Sequence, residues 1–324
     1  MCTAISFNSV DHYFGRNLDL YYSYNEKIIV TPQKFPFDFR MEGEIKNHYA
    51  FIGMATLSNN FPLYYDGVNE AGLGIAALNF PENACYSGFK KGKINLAPFE
   101  LIPWVLSKFS SVKQAAEELK KLNLVDVDFS SELLNSPLHW LISDKHQSIV
   151  VEPVAEGVKI YENPIGVLTN NPPFETQMLL LQNYSSLSAK YPEKSFSPLI
   201  KPKPYSLGMG AMGLPGDPSS PSRFVRAAFT KLNSPRCENE LASVGQFFHI
   251  LGSTEQQKGV SATKDGRLEY TLYSCCINTN KGIYYYTTYG NRSITAVNMQ
   301  KEKLCSECLI TFDLQKDERI LLQN

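Results

Sequence analysis

The sequence lacks an excess of either charge and any long apolar run. Its 31 basic and 32 acidic residues leave a formal net charge of -1, and no stretch of lysine and arginine is dense enough to follow a nucleic-acid backbone. The most apolar segments, such as residues 49–57 and 101–106, are far shorter than the roughly 20 residues that a membrane helix needs. We therefore expect neither a nucleic-acid partner nor a membrane span.

A regular cysteine framework is also missing. The seven cysteines stand at positions 2, 85, 237, 275, 276, 305 and 308, which is unlike the even pattern of a disulfide-stapled domain. The first residues lack the basic, apolar and small-residue order of an export signal, so we predict a protein of the reducing cytoplasm. Cys305 and Cys308 resemble half of a zinc site, but four ligands are needed and no second pair accompanies them. We predict no metal and no cofactor.

What the sequence has is the composition of a folded globular protein, with 43% hydrophobic residues, 18 tyrosines and 19 phenylalanines. Short alternating segments bounded by turn residues predict strands. They fall at residues 3–8, 12–20, 49–57, 138–142, 148–152, 158–161, 269–278 and 282–289. Residues 63–79 predict a hairpin that turns at residues 69–72 and ends with Asn79.

Apolar residues at helical spacing predict five helices. They span residues 98–109, a segment opening at 111, and residues 175–187, 223–232 and 241–251. The second begins with Ser111-Val-Lys-Gln114, the pattern of a capping box. Because strands and helices occur in separate blocks, we predict an α+β protein with mostly antiparallel sheets covered by helices, in one domain. The proline-rich segment 195–221 holds four glycines and predicts a loop with demanding backbone angles.

The second residue offers unusual chemistry. An initiator methionine is normally removed when the next side chain is as small as cysteine, so Cys2 can become the N-terminus. A free α-amino group has a pKa of about 7.7 to 8.0 and a thiol one of about 8.5, so the amine can serve as base for the thiol of the same residue. The five histidines lie in no suggestive motif. Cysteine at position 2 can equally be an accident, so the surrounding residues must decide.

Two charged residues, Arg16 and Asp19, interrupt the strand-like segment 12–20. A hairpin between the first two predicted strands would bring both back beside Cys2. They are either a solvated pair on an edge strand, or a functional pair in which Asp19 orients the ammonium or thiol and Arg16 balances the local charge.

Six short motifs follow one another along the chain. They are Met-Cys-Thr at residues 1–3, Phe-Gly-Arg-Asn-Leu-Asp at 14–19, Asn-Phe-Pro at 79–81, Leu-Thr-Asn-Asn-Pro at 168–172, Gly-Leu-Pro-Gly-Asp at 213–217 and Ser-Arg-Phe-Val-Arg at 222–226. In this order they resemble the choloylglycine hydrolase family, which includes bile salt hydrolases and penicillin V acylases. The resemblance implies a four-layer αββα sandwich of the N-terminal-nucleophile type, forming a single domain over residues 2–324 once Met1 is removed.

The resemblance also implies a catalytic site. Matched motif by motif, it makes Cys2 the nucleophile and α-amino base, surrounded by Arg16, Asp19, Asn79, Asn170 and Arg223. The Asn170 side chain and the Asn79 backbone N–H would bind the oxyanion, and Arg223 would favour the thiolate. From the residues alone, Asn79 and Asn170 could also be turn residues, and Arg223 a surface charge at the start of a helix.

The substrate expectation rests on position 79. Asparagine there resembles the bile salt hydrolases, whereas penicillin V acylases tend to carry tyrosine. We therefore expect a bile salt conjugated to glycine or taurine as substrate, with penicillin V acylase activity and a non-enzymatic binding protein as alternatives. Leu18, Phe129 and Leu133 are candidates for the apolar wall that receives the steroid. The resemblance further implies a homotetramer.

Overall fold

The protein is described by a computed structural model of residues 1–192, 197–200 and 202–324. Its strands in chain order are β1 (Cys2–Asn8), β2 (His12–Leu20), β3 (Lys27–Thr31), β4 (Phe37–Phe39), β5 (Gly43–Ile45), β6 (Phe51–Ser58), β7 (Phe61–Asn69), β8 (Gly74–Asn79), β9 (Ile94–Leu96), β10 (Leu122–Leu124), β11 (Leu138–Ser143), β12 (Ser148–Val154), β13 (Gly157–Glu162), β14 (Val167–Leu168), β15 (Tyr270–Asn278), β16 (Ile283–Thr288), β17 (Asn291–Asn298) and β18 (Ile310–Asp313). Its α-helices are α1 (Leu101–Lys108), α2 (Val112–Leu119), α3 (Phe174–Leu181), α4 (Ser220–Asn233) and α5 (Glu240–Gly252). None of these helices is long and apolar enough to cross a membrane.

The strands build two large sheets. The first has the order β14-β1-β2-β15-β16-β17, and the second has the order β13-β12-β11-β8-β7-β6-β3-β18. The pairings between neighbouring strands of both sheets are antiparallel, which confirms the predicted sheet type. Two short pairs, β4 with β5 and β9 with β10, stand apart from them.

The two sheets pack face to face between two layers of helices. Helices α4 and α5 contact β1, β2 and β15 of the first sheet, whereas α1 and α2 contact β7, β8 and β12 of the second. One core cluster joins both sheets to α4 and α5 through side chains such as Phe14, Ile52 and Phe224. A second cluster, with Trp104 and Trp140, lies between α1 and the other face of the second sheet. The predicted αββα sandwich is confirmed.

The β1–β2 hairpin lies inside the first sheet, because β1 is flanked by β14 and β2 by β15. Its register pairs Cys2 with Leu18 and brings Arg16 and Asp19 to the start of the chain. Gly15 allows β15 to approach, since a Cβ there would stand 2.0 Å from the carbonyl oxygen of Cys275. Arg16 and Asp19 are both fully buried, so the interpretation of a solvated pair on an edge strand is wrong.

Most predicted elements are present, with some differences of detail. Ser111 caps α2 by accepting a hydrogen bond from the Gln114 N–H at 3.3 Å. The Gln114 side chain, however, accepts from Ser110, so the predicted capping box is only half formed. In the predicted loop 195–221, two of the four glycines have positive φ, and its residues 195, 196 and 201 lie outside the described part of the chain.

Candidate active site

Cys2 opens β1 and is only 3% exposed. Paired residues of antiparallel strands project from the same face of a sheet, so the Cys2 side chain shares a face with Leu18, and Ala4 shares that face with Arg16. The Arg16 guanidinium donates to the carbonyl oxygens of Tyr65, at 3.1 Å, and Ala77. This face therefore looks toward the second sheet, and the Cys2 thiol lies between the two sheets.

Arg16 brings a buried positive charge to this space. Burial lowers the pKa of its guanidinium, but the electrostatic influence of Cys2, Tyr273 and Asp66 outweighs that effect and raises the pKa overall. Asp66 is itself fully buried and accepts hydrogen bonds from the Tyr273 and Tyr284 hydroxyls at 2.6 and 2.8 Å. Arg16 thus stays charged beside the thiol.

Asn170 lies two residues after the end of β14 and joins three parts of the site. Its Oδ1 accepts from the Cys2 N–H at 2.7 Å and from Arg223 Nη2 at 2.8 Å. Both partners are donors, so this atom must be the amide oxygen, and the orientation of the amide is fixed. Its Nδ2 donates to the Asn79 carbonyl oxygen at 2.7 Å, and the second Nδ2 hydrogen has no partner among the described residues.

Asn79 is the exposed last residue of β8. The N–H of the next residue, Phe80, donates to Pro137 beside β11, and N–H groups alternate between the two edges of a strand. The Asn79 N–H therefore points to the other edge, where β7 pairs only with residues 74–76. The Asn79 carbonyl oxygen, which accepts from the Asn170 side chain, points to that same edge of β8. The backbone N–H of Asn79 and the side-chain amide of Asn170 therefore lie side by side.

Arg223 belongs to the first turn of α4 and is fully buried, so the interpretation of a surface charge is wrong. Its Nη1 donates to the Cys2 carbonyl oxygen and, at 2.7 Å, to Thr3 Oγ1, while its Nε donates to Pro218. Burial lowers the pKa of Arg223, and the charges of Asp19 and Cys2 oppose this shift. Across the described residues, no carboxylate lies within 4.0 Å of its guanidinium.

Asp19 lies on the opposite face of β2 from Arg16, because side chains alternate along a strand. Its Oδ1 accepts from the Thr271 hydroxyl at 2.6 Å, whereas its buried Oδ2 has no partner within the described chain. Its backbone N–H and carbonyl bond to Met1 at 3.0 Å, and the Met1 ammonium also contacts Glu269. Burial raises the pKa of Asp19, opposed by the N-terminal ammonium and by Arg223.

An apolar cavity of about 170 Å³ lies beside these residues and is lined by Phe129 and Leu133. Tyr65 and Leu138 also line it. These two connect it to the site, since the Tyr65 carbonyl binds Arg16 and Leu138 pairs with Asn79. Leu18 does not line this cavity. It pairs with Cys2 on the same face of the first sheet and is only 4% exposed, so its place in the apolar wall stays a prediction.

Some residues of the site had no sequence signal. Thr3, Ser220 and Glu269 touch Arg223, Asn170 and the Met1 ammonium respectively. Thr3 is the last residue of the motif at residues 1–3 and Ser220 lies two residues before the motif at 222–226, but the sequence assigns neither of them a role, and Glu269 lies in no motif. All seven cysteines are free, and no cluster of potential metal ligands occurs among the described residues.

Comparison with known proteins shows the family of the chain. A family model for linear amide C–N hydrolases of the choloylglycine hydrolase family matches residues 2–315. The chain is 52% identical over 324 residues to a bile salt hydrolase/transferase of Lactiplantibacillus plantarum, with 100% of each chain covered.

Two solved structures share the fold. A mutant conjugated bile acid hydrolase from Clostridium perfringens is 37% identical, with 100% of each chain covered and a TM-score of 0.92. A penicillin V acylase from Agrobacterium tumefaciens is 20% identical, with 96% of this chain and 91% of that chain covered and a TM-score of 0.77, which is a likeness of fold alone. The chain belongs to the choloylglycine hydrolase family of linear amide C–N hydrolases, whose fold is of the N-terminal-nucleophile type.

Proposed function

We propose that the chain loses Met1 and hydrolyses the amide bond of bile salts conjugated to glycine or taurine, with Cys2 as nucleophile. The observation that carries this proposal is the Asn170 amide, which links the Cys2 nitrogen, Arg223 and the Asn79 carbonyl through hydrogen bonds of 2.7 to 2.8 Å. The relative of Lactiplantibacillus plantarum, named a bile salt hydrolase/transferase, supports the same substrate class.

The first step is attack on the amide. The α-amino group of Cys2 takes the thiol proton, and the thiolate sulfur bonds to the carbonyl carbon, whose oxygen becomes negative. The free Nδ2 hydrogen of Asn170 and the N–H of Asn79 lie side by side and suit that oxyanion. The buried charges of Arg16 and Arg223 favour the thiolate and the anionic intermediate.

The second step releases both products. The tetrahedral intermediate collapses, the carbon–nitrogen bond breaks, and the leaving amine takes the proton from the Cys2 ammonium. A water molecule, deprotonated by the same α-amine, then attacks the thioester and frees the bile acid and the thiol. Asp19 suits the task of holding the ammonium, since its Oδ2 is buried and unpartnered within the described residues.

The steroid would enter the cavity lined by Phe129 and Leu133. At about 170 Å³ this cavity is smaller than the 300 Å³ or more of typical ligand pockets, so we propose that it holds part of the apolar body and that the rest lies outside it. Penicillin V acylase activity, the alternative substrate, has less support, because the acylase similarity of 20% identity extends to the fold alone.

The decisive experiment measures intact mass and turnover of glycocholate, taurocholate and penicillin V by the wild-type protein and two variants. We expect a mass short by one methionine residue and faster turnover of the bile salts than of penicillin V. Cys2→Ala should lose activity by about 1,000-fold or more. The control Cys85→Ala, at an exposed thiol, should keep it. Retained Met1 in active protein, or an active Cys2→Ala variant, would refute the mechanism.

The substrate pocket can be tested separately with Phe129→Ala. Phe129 packs on Phe99 with ring centroids 5.2 Å apart, so the change removes apolar surface from the cavity wall. We expect KM for glycocholate to rise about tenfold while kcat changes little. The control Phe89→Ala, at an exposed ring away from the cavity, should leave KM as it is. An unchanged KM in Phe129→Ala would remove Phe129 from the pocket.

Two further proposals rest on the resemblance and on composition. We propose a homotetramer, which light scattering of the purified protein would test; a monomer would exclude it. We also propose a cytoplasmic location, because the seven cysteines are free. Fractionation of the source cells would test this location, and recovery of the protein outside the cytoplasm would overturn it.

A further inference from the structure

The pair formed by His139 and Glu152 is fully buried yet absent from the mechanism above. His139 stands on β11 and Glu152 on the neighbouring strand β12. Imidazole Nδ1 lies 3.0 Å from Glu152 Oε1, and imidazole Nε2 lies 2.8 Å from the carbonyl oxygen of Thr169. The same Oε1 accepts from the N–H of Phe174 at 3.0 Å, at the start of α3.

The imidazole touches the neighbours of both proposed oxyanion donors. Its ring stacks on Phe80, the residue after Asn79, with ring centroids 4.3 Å apart and planes inclined by 6°. Its Nε2 binds Thr169, the residue before Asn170. A single rigid ring therefore connects the end of β8 to the end of β14, the two segments whose spacing sets the distance between the Asn79 N–H and the Asn170 amide.

The hydrogen bonds fix the protons of this pair. A carbonyl oxygen can only accept, so Nε2 must carry a hydrogen. Nδ1 faces a carboxylate oxygen, so one further proton lies between Nδ1 and Oε1, on either the imidazole or the carboxyl group. In both forms the pair is neutral overall, which lowers the desolvation cost of burying it. In both forms the bond to Glu152 also prevents the imidazole ring from rotating.

We propose that His139, held by Glu152, is a positioning residue that sets the geometry of the oxyanion site formed by Asn79 and Asn170. This inference rests on the proposed function. Ser220 supports the same segment from α4, since its hydroxyl accepts from the Asn170 N–H at 2.8 Å. His139 binds the Thr169 carbonyl from the opposite side, so hydrogen bonds from the second sheet and from α4 hold Thr169 and Asn170 in place.

Two substitutions at position 139 separate the bond to Thr169 from the bond to Glu152. In His139→Gln the amide nitrogen can take the place of Nε2 and donate to the Thr169 carbonyl. In His139→Asn the shorter amide reaches Glu152 but not Thr169. We expect kcat for glycocholate to fall 30- to 100-fold in His139→Asn and about threefold in His139→Gln, with KM within twofold of wild type in both.

Alkylation of Cys2 by iodoacetamide distinguishes positioning from loss of structure. That reaction needs the thiolate but no oxyanion donors, so its rate should be the same in His139→Asn and in wild type. If the asparagine variant does not fold, the double variant His139→Phe with Glu152→Gln removes the buried charge together with the imidazole, and it should show the same loss of kcat.

The outcomes separate this inference from the proposed function. A wild-type kcat in a folded His139→Asn or double variant, or a parallel fall in alkylation rate, would overturn the positioning role alone. No turnover of glycocholate by the wild-type protein would overturn the proposed function and, with it, this inference.

Discussion

The two ends of the β1–β2 hairpin bury polar groups in opposite ways. At the open end, next to Cys2, three charged side chains are fully buried: Arg16, Asp19 and Arg223. Two of their atoms, Arg16 Nη2 and Asp19 Oδ2, have no hydrogen-bond partner among the described residues. Buried charges and unpartnered polar atoms lower the free energy of unfolding. The open end therefore contains hydrogen-bonding groups that the fold itself leaves unsatisfied.

At the turn end several buried side chains without a formal charge are bonded to one another. His12 Nδ1 lies 2.9 Å from the Thr279 hydroxyl, and its Nε2 lies 3.2 Å from the Ser143 hydroxyl. Ser148 extends this series of hydrogen bonds, with its hydroxyl 2.8 Å from that of Ser143 and 3.1 Å from that of Ser6. These side chains connect β1 and β2 to β11 and β12, so they tie the two sheets together.

From this comparison we propose that the same hairpin serves reactivity at one end and stability at the other. Helix α4 repeats the contrast, since it carries Arg223 at the open end and Lys231 at the turn end, where Lys231 donates to the Ile165 carbonyl. Within the described chain, neither cation has a carboxylate within 4.0 Å. Substitutions at the open end should therefore change turnover, and substitutions at the turn end should change the free energy of unfolding.

The largest expected effect separates the two cations of α4. Arg223→Gln removes the charge and the hydrogen bonds to Cys2 and Asn170, so we expect kcat for glycocholate to fall about 100-fold or more. Lys231→Gln, on the same helix, should change kcat less than twofold. Steady-state kinetics of both variants measure the contrast. Equal losses of kcat in the two variants would show that α4 only supports the fold, and would contradict the contrast between the two ends.

A smaller effect should appear in the pH dependence of stability at the turn end. Burial is the main cause that lowers the pKa of His12 to about 4, and Lys231 and His146 reinforce this shift while Asp144 opposes it. Between pH 7 and pH 4.5 the unfolded chain gains a proton at His12 that the folded chain does not. The free energy of unfolding should therefore fall by roughly 2 kcal/mol through this residue as the pH drops.

The variant His12→Asn should lack this contribution. Urea unfolding at pH 7 and pH 4.5 would then show a fall smaller by roughly 2 kcal/mol than in the wild-type protein. His249→Asn, at an exposed histidine in the last turn of α5, serves as the control and should follow the wild type. An identical pH dependence in His12→Asn would mean that His12 is protonated in the folded protein at pH 4.5.

Sequence patterns predicted the strands of the hairpin and its neighbour β15, but not the short strand β14 beside its open end. Strands β1, β2 and β15 were predictable because apolar residues alternate along them, and the hairpin between β1 and β2 follows from their short turn. Strand β14 has only two residues, Val167 and Leu168, which is too short for any periodicity to show. Nevertheless it pairs with β1 and delivers Asn170 to Cys2, so this part of the site came only from a motif.

The supporting hydrogen bonds were beyond sequence reasoning for a different reason. The Thr271 hydroxyl binds Asp19 across 252 positions of the chain, and His139 reaches Thr169 across 30. Serine, threonine and histidine occur throughout the sequence, and no local pattern marks the ones that support the proposed site. Such contacts depend on the register between strands, which β-bulges such as the one between Thr271 and Tyr273 shift by a residue.

The smallest expected effect compares one hydroxyl at each end. Thr271→Val keeps the shape but removes the 2.6 Å hydrogen bond to Asp19, and Ser148→Ala removes the link between Ser6 and Ser143. Each change should lower the free energy of unfolding by about 1 kcal/mol. Thr271→Val alone should also lower kcat, about tenfold, because Asp19 loses a partner that fixes its carboxylate beside the reacting amine. Urea unfolding and glycocholate kinetics on both variants measure this, and a fall in kcat in Ser148→Ala would show that the two ends are coupled.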